Sequence, residues 1–241
     1  MKKILIIIPA YNEEKSILKT YQEIINYNKK NKTNYECIVV NDGSLDSTED
    51  ILTENSIPHL TLPLNLGIGG AVQAGYKYAF ENDYDIAIQF DGDGQHDVNY
   101  IKDIVKPISN KKANMVIGSR FIKEETSDFK STKMRRIGIK LISKIIKIKT
   151  KKKIYDTTSG FRAIDKNVID LFKDEYPTEY PEPISSVNAL IHGYVIDEVP
   201  VEMKPRLAGK SSISKIKSVY YMVNVILSIL IMKGKRKWVR L

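Results

Sequence analysis

The segment Asp91-Gly92-Asp93-Gly94-Gln95-His96 holds the residues of this chain best suited to chemistry. Its two carboxylates stand one residue apart and directly follow the apolar run 86–90, which has the composition of a buried strand. Residues two apart on a strand face the same side, so we expect both carboxylates to reach one divalent cation. Such a cation usually neutralises a phosphorylated substrate. The segment therefore predicts a metal site that binds a phosphorylated substrate.

Three better-known site types are excluded by one or two positions each. A calcium loop that begins at Asp91 needs glycine at its sixth position and glutamate at its twelfth, where this chain has His96 and Lys102. The glycines of 67–75 fail the dinucleotide fingerprint, because Val72 takes the place of its last glycine. They also fail the P-loop pattern, because Tyr76 stands where that loop requires lysine.

Length and composition predict one large domain, or one domain with a tail. The chain has 241 residues, of which 42% are hydrophobic, and this is enough for a buried core. Cys37 is the only cysteine, so the sequence has no disulfide framework or cysteine-based metal site, and a reducing cytoplasm is expected. The apolar run 4–8 is too short for the core of a signal peptide, and we interpret it as a first strand.

The net charge of +9 is concentrated in two stretches, 130–153 and 233–240. A basic excess of this kind predicts an anionic partner, which is nucleic acid, an acidic membrane surface or a phosphorylated substrate. The alternative explanation is that these lysines are simply solvated side chains on ordinary helix faces.

Strand-like and helix-like segments alternate over the first half of the chain. Such alternation predicts an α/β fold, with a Rossmann-like, mostly parallel sheet and helices on both faces. The predicted strands are 4–8, 35–40, 59–62, 85–90 and 115–118, and the predicted helices are 13–28, 47–55, 69–82 and 98–109.

Polar clusters follow four of these strands. In a parallel sheet the ligand crevice lies at the carboxyl ends of the strands, so the clusters are expected to meet in an active site. The clusters are Asn12-Glu13, Asn41-Asp42, Asp91-Gly92-Asp93 and Ser119-Arg120.

The second half of the chain has a different pattern. Apolar residues at helical spacing over 137–148, set among lysines, predict a basic amphipathic helix. The segment 176–183 contains three prolines and is not expected to be regular helix, whereas 184–192 is predicted to be helical and 195–201 to be a strand. The apolar run 219–232 is shorter than the ~20 residues that span a bilayer.

This last run leaves three interpretations open. Its flanks are basic on both sides, which favours a helix lying in the membrane interface. It is also compatible with a homo-oligomer contact, or with a helix packed on the sheet. We therefore divide the chain into a domain over 1–214 and a basic, apolar C-terminal helix over 215–241.

The ordered set of motifs resembles a family 2 glycosyltransferase of the GT-A fold. The resemblance extends from residue 4 to about residue 214 and is greatest to the dolichol-phosphate mannosyltransferase-like enzymes and related polyprenyl-phosphate or cell-surface polysaccharide transferases. The seven motifs that carry it are IPAYNEE at 8–14, VNDGSLDST at 40–48, NLGIGGA at 65–71, DGDGQH at 91–96, GSRF at 118–121, SGFR at 159–162 and RLAGKSS at 206–212.

The resemblance implies roles for particular residues. It implies that Mg²⁺ or Mn²⁺ is held by Asp91, Asp93 and Gln95, and that Arg120 and Arg206 contact phosphate and act with Asp93 in catalysis. A hydroxyl acceptor would need a base, for which Glu179 and Glu182 are the candidates. The residues implied to bind the nucleotide sugar are Pro9, Tyr11, Glu13, Val40, Asp42, Asp91, Gly92 and Asp93.

The expected activity is that of an inverting, metal-dependent transferase. It would move a sugar from a UDP- or GDP-sugar to a polyprenyl-phosphate or other lipid-linked acceptor, as a peripheral protein on the inner face of the cell membrane, without a nucleic-acid partner. Ile139 and Ile184 replace a serine and an acid of the related enzymes, so the acceptor stays open.

Other classes of protein remain as alternatives. A sugar-phosphate nucleotidyltransferase is also a Mg²⁺-dependent α/β enzyme, but it normally has a basic, glycine-rich loop after its first strand, where this chain has the acidic segment 9–14. A basic nucleic-acid-binding protein would show a steep salt dependence, but the sequence has no visible recognition helix. A catalytically silent nucleotide-sugar-binding scaffold is separable only by assay.

Overall fold

The computed structural model describes residues 2–122, 133–204 and 215–233, with side chains described outside 133–135 and 215–219. Within these ranges the strands are β1 Ile4–Ala10, β2 Glu36–Asn41, β3 His59–Thr61, β4 Ile86–Gln89, β5 Met115–Ser119, β6 Arg162–Asp165 and β7 Ile196–Pro200. The helices are α1 Ile17–Asn31, α2 Thr48–Glu54, α3 Gly67–Glu81, α4 Ile101–Ser109, α5 Lys133–Thr150, α6 Lys166–Phe172, α7 Pro181–Ile191 and α8 Lys215–Ile231.

These strands form one sheet in the order β3-β2-β1-β4-β6-β5-β7. Among them only β6 is antiparallel to its neighbours, and it pairs with both β4 and β5. The predicted α/β fold with a mostly parallel sheet is therefore confirmed. Because β6 runs in the opposite direction, its first residues lie at the edge of the sheet where β4 and β5 end.

The central strand β1 is buried over its whole length, as a parallel strand covered on both faces must be. Alternate side chains of β1 point to opposite faces of the sheet and pack in the two layers of the core. Leu5 and Ile7 join the cluster that includes α3 and α6, whereas Ile6 and Ile8 join the cluster that includes α1 and α4. The apolar run of β1 thus packs against both helix layers. It also determines at which edge of the sheet the polar residues after β1 lie.

Two predictions about helices were wrong. The segment with three prolines contains the start of a helix, because α7 begins at Pro181. Proline is tolerated there, since the N–H groups of the first turn have no partner within the helix. The first helix begins at Ile17 rather than at Glu13, whose carbonyl accepts the N–H of Ile17 at 2.9 Å.

The basic amphipathic helix over 137–148 is confirmed as part of α5, and the apolar run 219–232 lies largely in α8. The two helices pack together, with Ile142 and Ile146 of α5 and Val225 and Ile229 of α8 buried in one cluster. No helix in the described part of the chain is both long and apolar enough to cross a bilayer. The predicted domain boundary at 214 adjoins residues outside the described ranges and stays a prediction.

Candidate active site

The loops after β1 and β2 are tied together at the carboxyl edge of the sheet. The Asn12 N–H donates to the Ser44 hydroxyl at 3.0 Å, and the Asn12 side-chain oxygen accepts the N–H of Leu45 at 2.8 Å. Asn12 itself has a φ of 56°, a left-handed conformation that asparagine tolerates better than most residues. Two of the four predicted polar clusters therefore form one connected rim.

The residues implied to hold the nucleoside lie along this rim. Pro9 and Val40 are buried register partners in β1 and β2. Tyr11 follows β1 and is 42% exposed, so its ring is available to a ligand. The Glu13 carboxylate accepts the Ser16 hydroxyl at 2.5 Å, and the Glu13 N–H donates to Thr48. Glu13 therefore helps to build the start of α1, and a contact between Glu13 and nucleotide stays a prediction.

Asp42 is the most deeply buried carboxylate of the rim, with 2% exposure. Its carboxylate accepts the N–H of Leu66 at 2.8 Å, which holds the loop before α3 against the end of β2. Burial raises the pKa of Asp42, and the N–H groups of Leu66 and Gly67 oppose this rise. Asp42 is thus held in a fixed orientation at the edge of the sheet, and its contact with a nucleobase stays a prediction.

The two carboxylates of the Asp91–Asp93 pair lie in a turn and not on a strand. β4 ends at Gln89, although the N–H of Phe90 still donates to the Ile7 carbonyl at 2.9 Å. The side chain of Asp91 is 32% exposed, whereas Asp93 is 8% exposed and accepts the N–H of Gln95 at 3.0 Å. The expectation that strand periodicity aligns the pair was therefore wrong, and the turn after β4 places both acids.

Two further residues of this turn have specific structural roles. Gly92 allows close approach to β1, because a Cβ atom there would lie 3.1 Å from the Pro9 carbonyl oxygen. Gln95 donates its side-chain amide N–H to the Lys204 carbonyl at 3.4 Å, so its amide oxygen is the atom that would meet a metal ion. The backbone of the turn is therefore packed against its surroundings on both sides.

The donor set of this turn fits a hard divalent cation. Two carboxylates and an amide oxygen are ligands that Mg²⁺ and Mn²⁺ accept. Among the described residues, no group of three or more acidic, histidine or cysteine side chains is placed to hold an ion without other ligands. A site with few protein ligands suits Mg²⁺-type binding, in which substrate phosphate oxygens complete the coordination.

Arg120, at the end of β5, is engaged within the protein. Its Nε and Nη2 donate to the two carboxylate oxygens of Asp156 at 2.7 and 2.8 Å, and both residues are buried. Burial alone would raise the pKa of Asp156, but the hydrogen bonds and charge of Arg120 hold it below its usual value. The phosphate contacts predicted for Arg120 stay a prediction, and Arg206 lies outside the described residues.

The comparison with protein families decides the class of protein. The family model described as "Glycosyl transferase family 2" matches residues 5–172, which is more than half of the chain. This chain belongs to glycosyltransferase family 2. It is therefore an enzyme that uses a nucleotide sugar, and the nucleotidyltransferase and nucleic-acid-binding alternatives are set aside.

The transferase is similar to enzymes that act on lipid phosphates. It is 31% identical over 221 residues to the UDP-N-acetylglucosamine–dolichyl-phosphate N-acetylglucosaminyltransferase of Methanococcus voltae, covering 83% of this chain and 85% of that protein. It is also 31% identical over 224 residues to a dolichyl-phosphate beta-glucosyltransferase of Trichomonas vaginalis, covering 86% of this chain and 68% of that protein. The predicted resemblance to the dolichol-phosphate group is confirmed.

Solved structures show that the transferase has the GT-A fold. Glucosyl-3-phosphoglycerate synthase from Mycobacterium tuberculosis, in complex with Mn²⁺, UDP-glucose and phosphoglyceric acid, superposes with a TM-score of 0.67. The match covers 95% of this chain and 79% of that chain at 16% sequence identity. At this identity the likeness concerns the fold alone.

The two candidate bases of the transferase differ in their surroundings. Glu179 is exposed, whereas Glu182 is half-buried in the first turn of α7. Burial raises the pKa of Glu182, the charge of Arg162 opposes this rise, and Asp91 adds to it. Glu182 is thus the candidate that interacts electrostatically with Asp91, a distinction that the sequence alone does not make.

The antiparallel strand β6 and the residues just before it bring Gly160 and Arg162, both in the SGFR motif at 159–162, to the site of the transferase. Gly160 lies against the 91–96 turn, because a Cβ atom there would be 3.0 Å from a carboxylate oxygen of Asp91. Arg162 is 1% exposed and donates to the Ser159 carbonyl at 2.7 Å and the Ser185 hydroxyl at 2.8 Å. The motif that contains Gly160 and Arg162 therefore packs against the buried side of the 91–96 turn.

Proposed function

We propose that this transferase moves a sugar from a UDP-sugar to a polyprenyl phosphate, with inversion at the anomeric carbon and with Mg²⁺ or Mn²⁺. The observation that carries the proposal is the placement of Asp91 and Asp93 in one turn, at the edge of the sheet where β1 and β2 also end. The names of the two relatives, which include UDP-N-acetylglucosamine and dolichyl phosphate, support the choice of donor and acceptor.

The donor would lie across the carboxyl edge of the sheet. Asp42 and Tyr11 stand on the side where the nucleoside is expected, and Asp91 and Asp93, with Gln95, on the side of the diphosphate. The bound cation supplies charge neutralisation for the diphosphate leaving group. The rigid hydrogen bonding of Asp42 and of the 91–96 turn means that little reorganisation is needed when the donor binds.

The proposed transfer is a single displacement. An anionic oxygen of the acceptor phosphate attacks the anomeric carbon on the face opposite the diphosphate. The bond from that carbon to the diphosphate oxygen breaks, and its electron pair leaves with UDP. Because the attacking oxygen carries no proton, the step needs no general base. This argument favours a positioning or electrostatic role for Glu182 over a role as base.

A lipid-linked acceptor implies that the protein binds a membrane. The helices α5 and α8 form a surface suited to such binding. Neither helix contains an acidic residue, and Arg136, Lys140, Lys144 and Lys147 of α5 are exposed. Basic helices with apolar faces bind anionic lipid, whereas two copies of so basic a surface would repel each other. The support therefore favours lipid over a homo-oligomer, on the cytoplasmic face where nucleotide sugars are available. The exposed apolar side chains are Ile137, Leu141 and Ile148 of α5 and Tyr220, Val223, Leu227, Leu230 and Ile231 of α8.

The test uses the full chain, polyprenyl phosphate in detergent, and UDP- or GDP-linked hexoses labelled in the sugar. We expect labelled lipid and an equal amount of UDP, both dependent on Mn²⁺ or Mg²⁺, and a β-linked product by NMR when the donor is α-linked. Asp93→Ala should abolish transfer and metal-dependent UDP binding while the melting temperature is kept. Asp103→Ala, at an exposed acid of α4, is the control. Ordinary turnover of Asp93→Ala would refute the metal site, and transfer from GDP-sugars alone would refute the donor.

A further inference from the structure

His96 occupies an enclosed position directly behind the turn at 91–96, which is the proposed metal-binding turn. It is 2% exposed. Its ring stacks on Phe161, with centroids 4.9 Å apart and an interplanar angle of 21°, and meets Phe90 edge-on at 5.3 Å. The two aromatic rings fix the plane of the imidazole and leave it no alternative rotamer without displacing the core. The side chain therefore presents its two nitrogens in a fixed direction.

Both nitrogens of His96 face Asp91. Nδ1 accepts the backbone N–H of Asp91 at 3.0 Å, and Nε2 lies 3.4 Å from the Asp91 Oδ2 atom. A ring nitrogen that accepts a hydrogen bond carries no proton, so the proton of the neutral ring is on Nε2 and points at the carboxylate.

The Asp91 carboxylate is also confined by other groups. The Gln89 side-chain amide donates to Oδ1 at 3.4 Å, a long hydrogen bond. The Gly160 backbone closes a further side, where even a methyl group would come within 3.1 Å of both oxygens. Rotation of the Asp91 carboxylate is thus limited. His96 contacts both the backbone N–H and the carboxylate of Asp91.

We propose that His96 is a positioning residue that holds Asp91 in the orientation required to bind the divalent cation. The proposal rests on the proposed metal-dependent function and names a residue that does not itself touch metal or substrate. Partners that orient a metal ligand typically change metal affinity by about 10–100-fold when they are removed. A purely structural role, as filler between two aromatic rings, would instead change stability alone.

Three substitutions separate these two roles. His96→Phe keeps an aromatic ring between Phe90 and Phe161 but removes both polar contacts. His96→Gln can place an amide N–H near the position of Nε2, and His96→Asn can place an amide oxygen near the position of Nδ1. His192→Phe is the matched control. His192 lies at the C-terminal end of α7, where its Nδ1 contacts the Asn188 carbonyl oxygen.

The measurement is Mn²⁺ binding to the full chain with saturating UDP, followed by the electron paramagnetic resonance signal of free Mn²⁺, together with thermal unfolding. We expect His96→Phe to weaken Mn²⁺ binding by about 10–100-fold. His96→Gln should lose less affinity than His96→Phe, and His192→Phe should bind as the unaltered chain does. Should His96→Phe fail to fold, the comparison of His96→Gln and His96→Asn with the unaltered chain decides.

The outcomes distinguish this proposal from the one on which it rests. If the unaltered chain binds no Mn²⁺ with UDP, the proposed function itself fails. If the unaltered chain binds Mn²⁺ and every folded His96 variant binds it equally well, the metal site stands and the positioning role is overturned. A lower melting temperature with unchanged Mn²⁺ affinity would likewise assign His96 to the core alone.

Discussion

Arg120 and Asp156 form a buried ion pair that joins the end of β5 to the segment before β6. Two side-chain contacts at 2.7 and 2.8 Å are joined by a third, in which the Arg120 backbone N–H donates to the same carboxylate at 3.1 Å. The N–H of Asp156 in turn donates to Glu198 of β7 at 2.9 Å. The pair therefore fixes the start of the segment that carries Gly160 to the 91–96 turn.

Replacing Asp156 with asparagine should destabilise the fold strongly. The Arg120 guanidinium would be left buried without its counter-charge, and breaking a buried pair in this way costs about 3–5 kcal/mol. Urea denaturation measures the change in the free energy of unfolding. The control is Asp83→Asn at the exposed Lys166–Asp83 pair, whose partners are 3.1 Å apart and for which a loss of at most about 1 kcal/mol is expected.

The same pair predicts a pH dependence. The folded-state pKa of Asp156 is lowered, so its contribution to stability is fully present above the unfolded pKa of about 3.9 and is lost as the pH falls through the lower folded value. Unfolding free energies measured below about pH 4 should therefore fall less steeply for Asp156→Asn than for the unaltered chain. Equal slopes for the two proteins would contradict the assignment.

Gly160→Ala should impair the metal site by steric contact. The added methyl group would lie 3.0 and 3.1 Å from the two oxygens of Asp91 and 2.9 Å from Gln89 Nε2. The carboxylate must then shift, and a displacement of about 1 Å at an active site can cost about 10²-fold in rate. Transfer rate and Mn²⁺ affinity should both fall, and should fall further in Gly160→Val. A Gly160→Ala enzyme with full affinity for Mn²⁺ would show that Asp91 does not bind the ion.

Glu182→Gln tests the nature of the acceptor. A phosphate acceptor needs no base, so we expect the variant to retain transfer within about tenfold, whereas loss of a general base costs about 10²–10⁴-fold. The pH profile of kcat/KM should keep its acidic limb. A loss beyond about 10²-fold, together with disappearance of that limb, would point to a hydroxyl acceptor deprotonated by Glu182.

The proposed lipid surface of α5 and α8 predicts binding to anionic vesicles. We expect the protein to sediment with vesicles that contain phosphatidylglycerol and not with pure phosphatidylcholine, and to be released by salt. The double variant Leu227→Glu/Ile231→Glu should lose this binding, since it places two acids on the exposed face of α8. Val195→Glu, at an exposed position before β7, is the control. Binding of the double variant at the level of the control would exclude α8 from the lipid contact.

The sequence predicted the elements whose pattern is local. Continuous apolar runs identify strands buried on both faces, and polar residues directly after them mark the carboxyl edge of the sheet, as Asn41-Asp42 and Ser119-Arg120 do. The basic amphipathic helix was likewise visible in the spacing of its isoleucines. In each case neighbouring residues contain the whole signal, so no knowledge of distant contacts is needed.

The features that the sequence did not predict depend on distant partners. β6 has four residues and begins with Arg162, a charged residue that is buried only because Ser159 and Ser185 accept its hydrogen bonds. The roles of His96 and Gly160 depend on the tertiary structure, which places the His96 ring and the Gly160 backbone against Asp91. Such arrangements are set by tertiary contacts, which the order of residue types along the chain does not encode locally.

Tyr221 of α8 links the proposed lipid surface to the start of α7, the helix that carries Glu182. It meets the ring of Tyr180 edge-on at 4.6 Å, and Tyr180, held in the left-handed conformation with a φ of 51°, lies directly before α7 and two residues before Glu182. That conformation is costly for tyrosine, so the ring contact helps to maintain it. Since aromatic pairs are worth about 0.5–1.5 kcal/mol, we expect Tyr221→Ala to raise the KM for a short-chain prenyl phosphate by up to about tenfold, with Mn²⁺ and UDP binding unchanged. Tyr220→Ala, at the exposed neighbouring position, should leave that KM unaltered. If both variants behave alike, the contact between Tyr180 and Tyr221 does not help to shape the acceptor site.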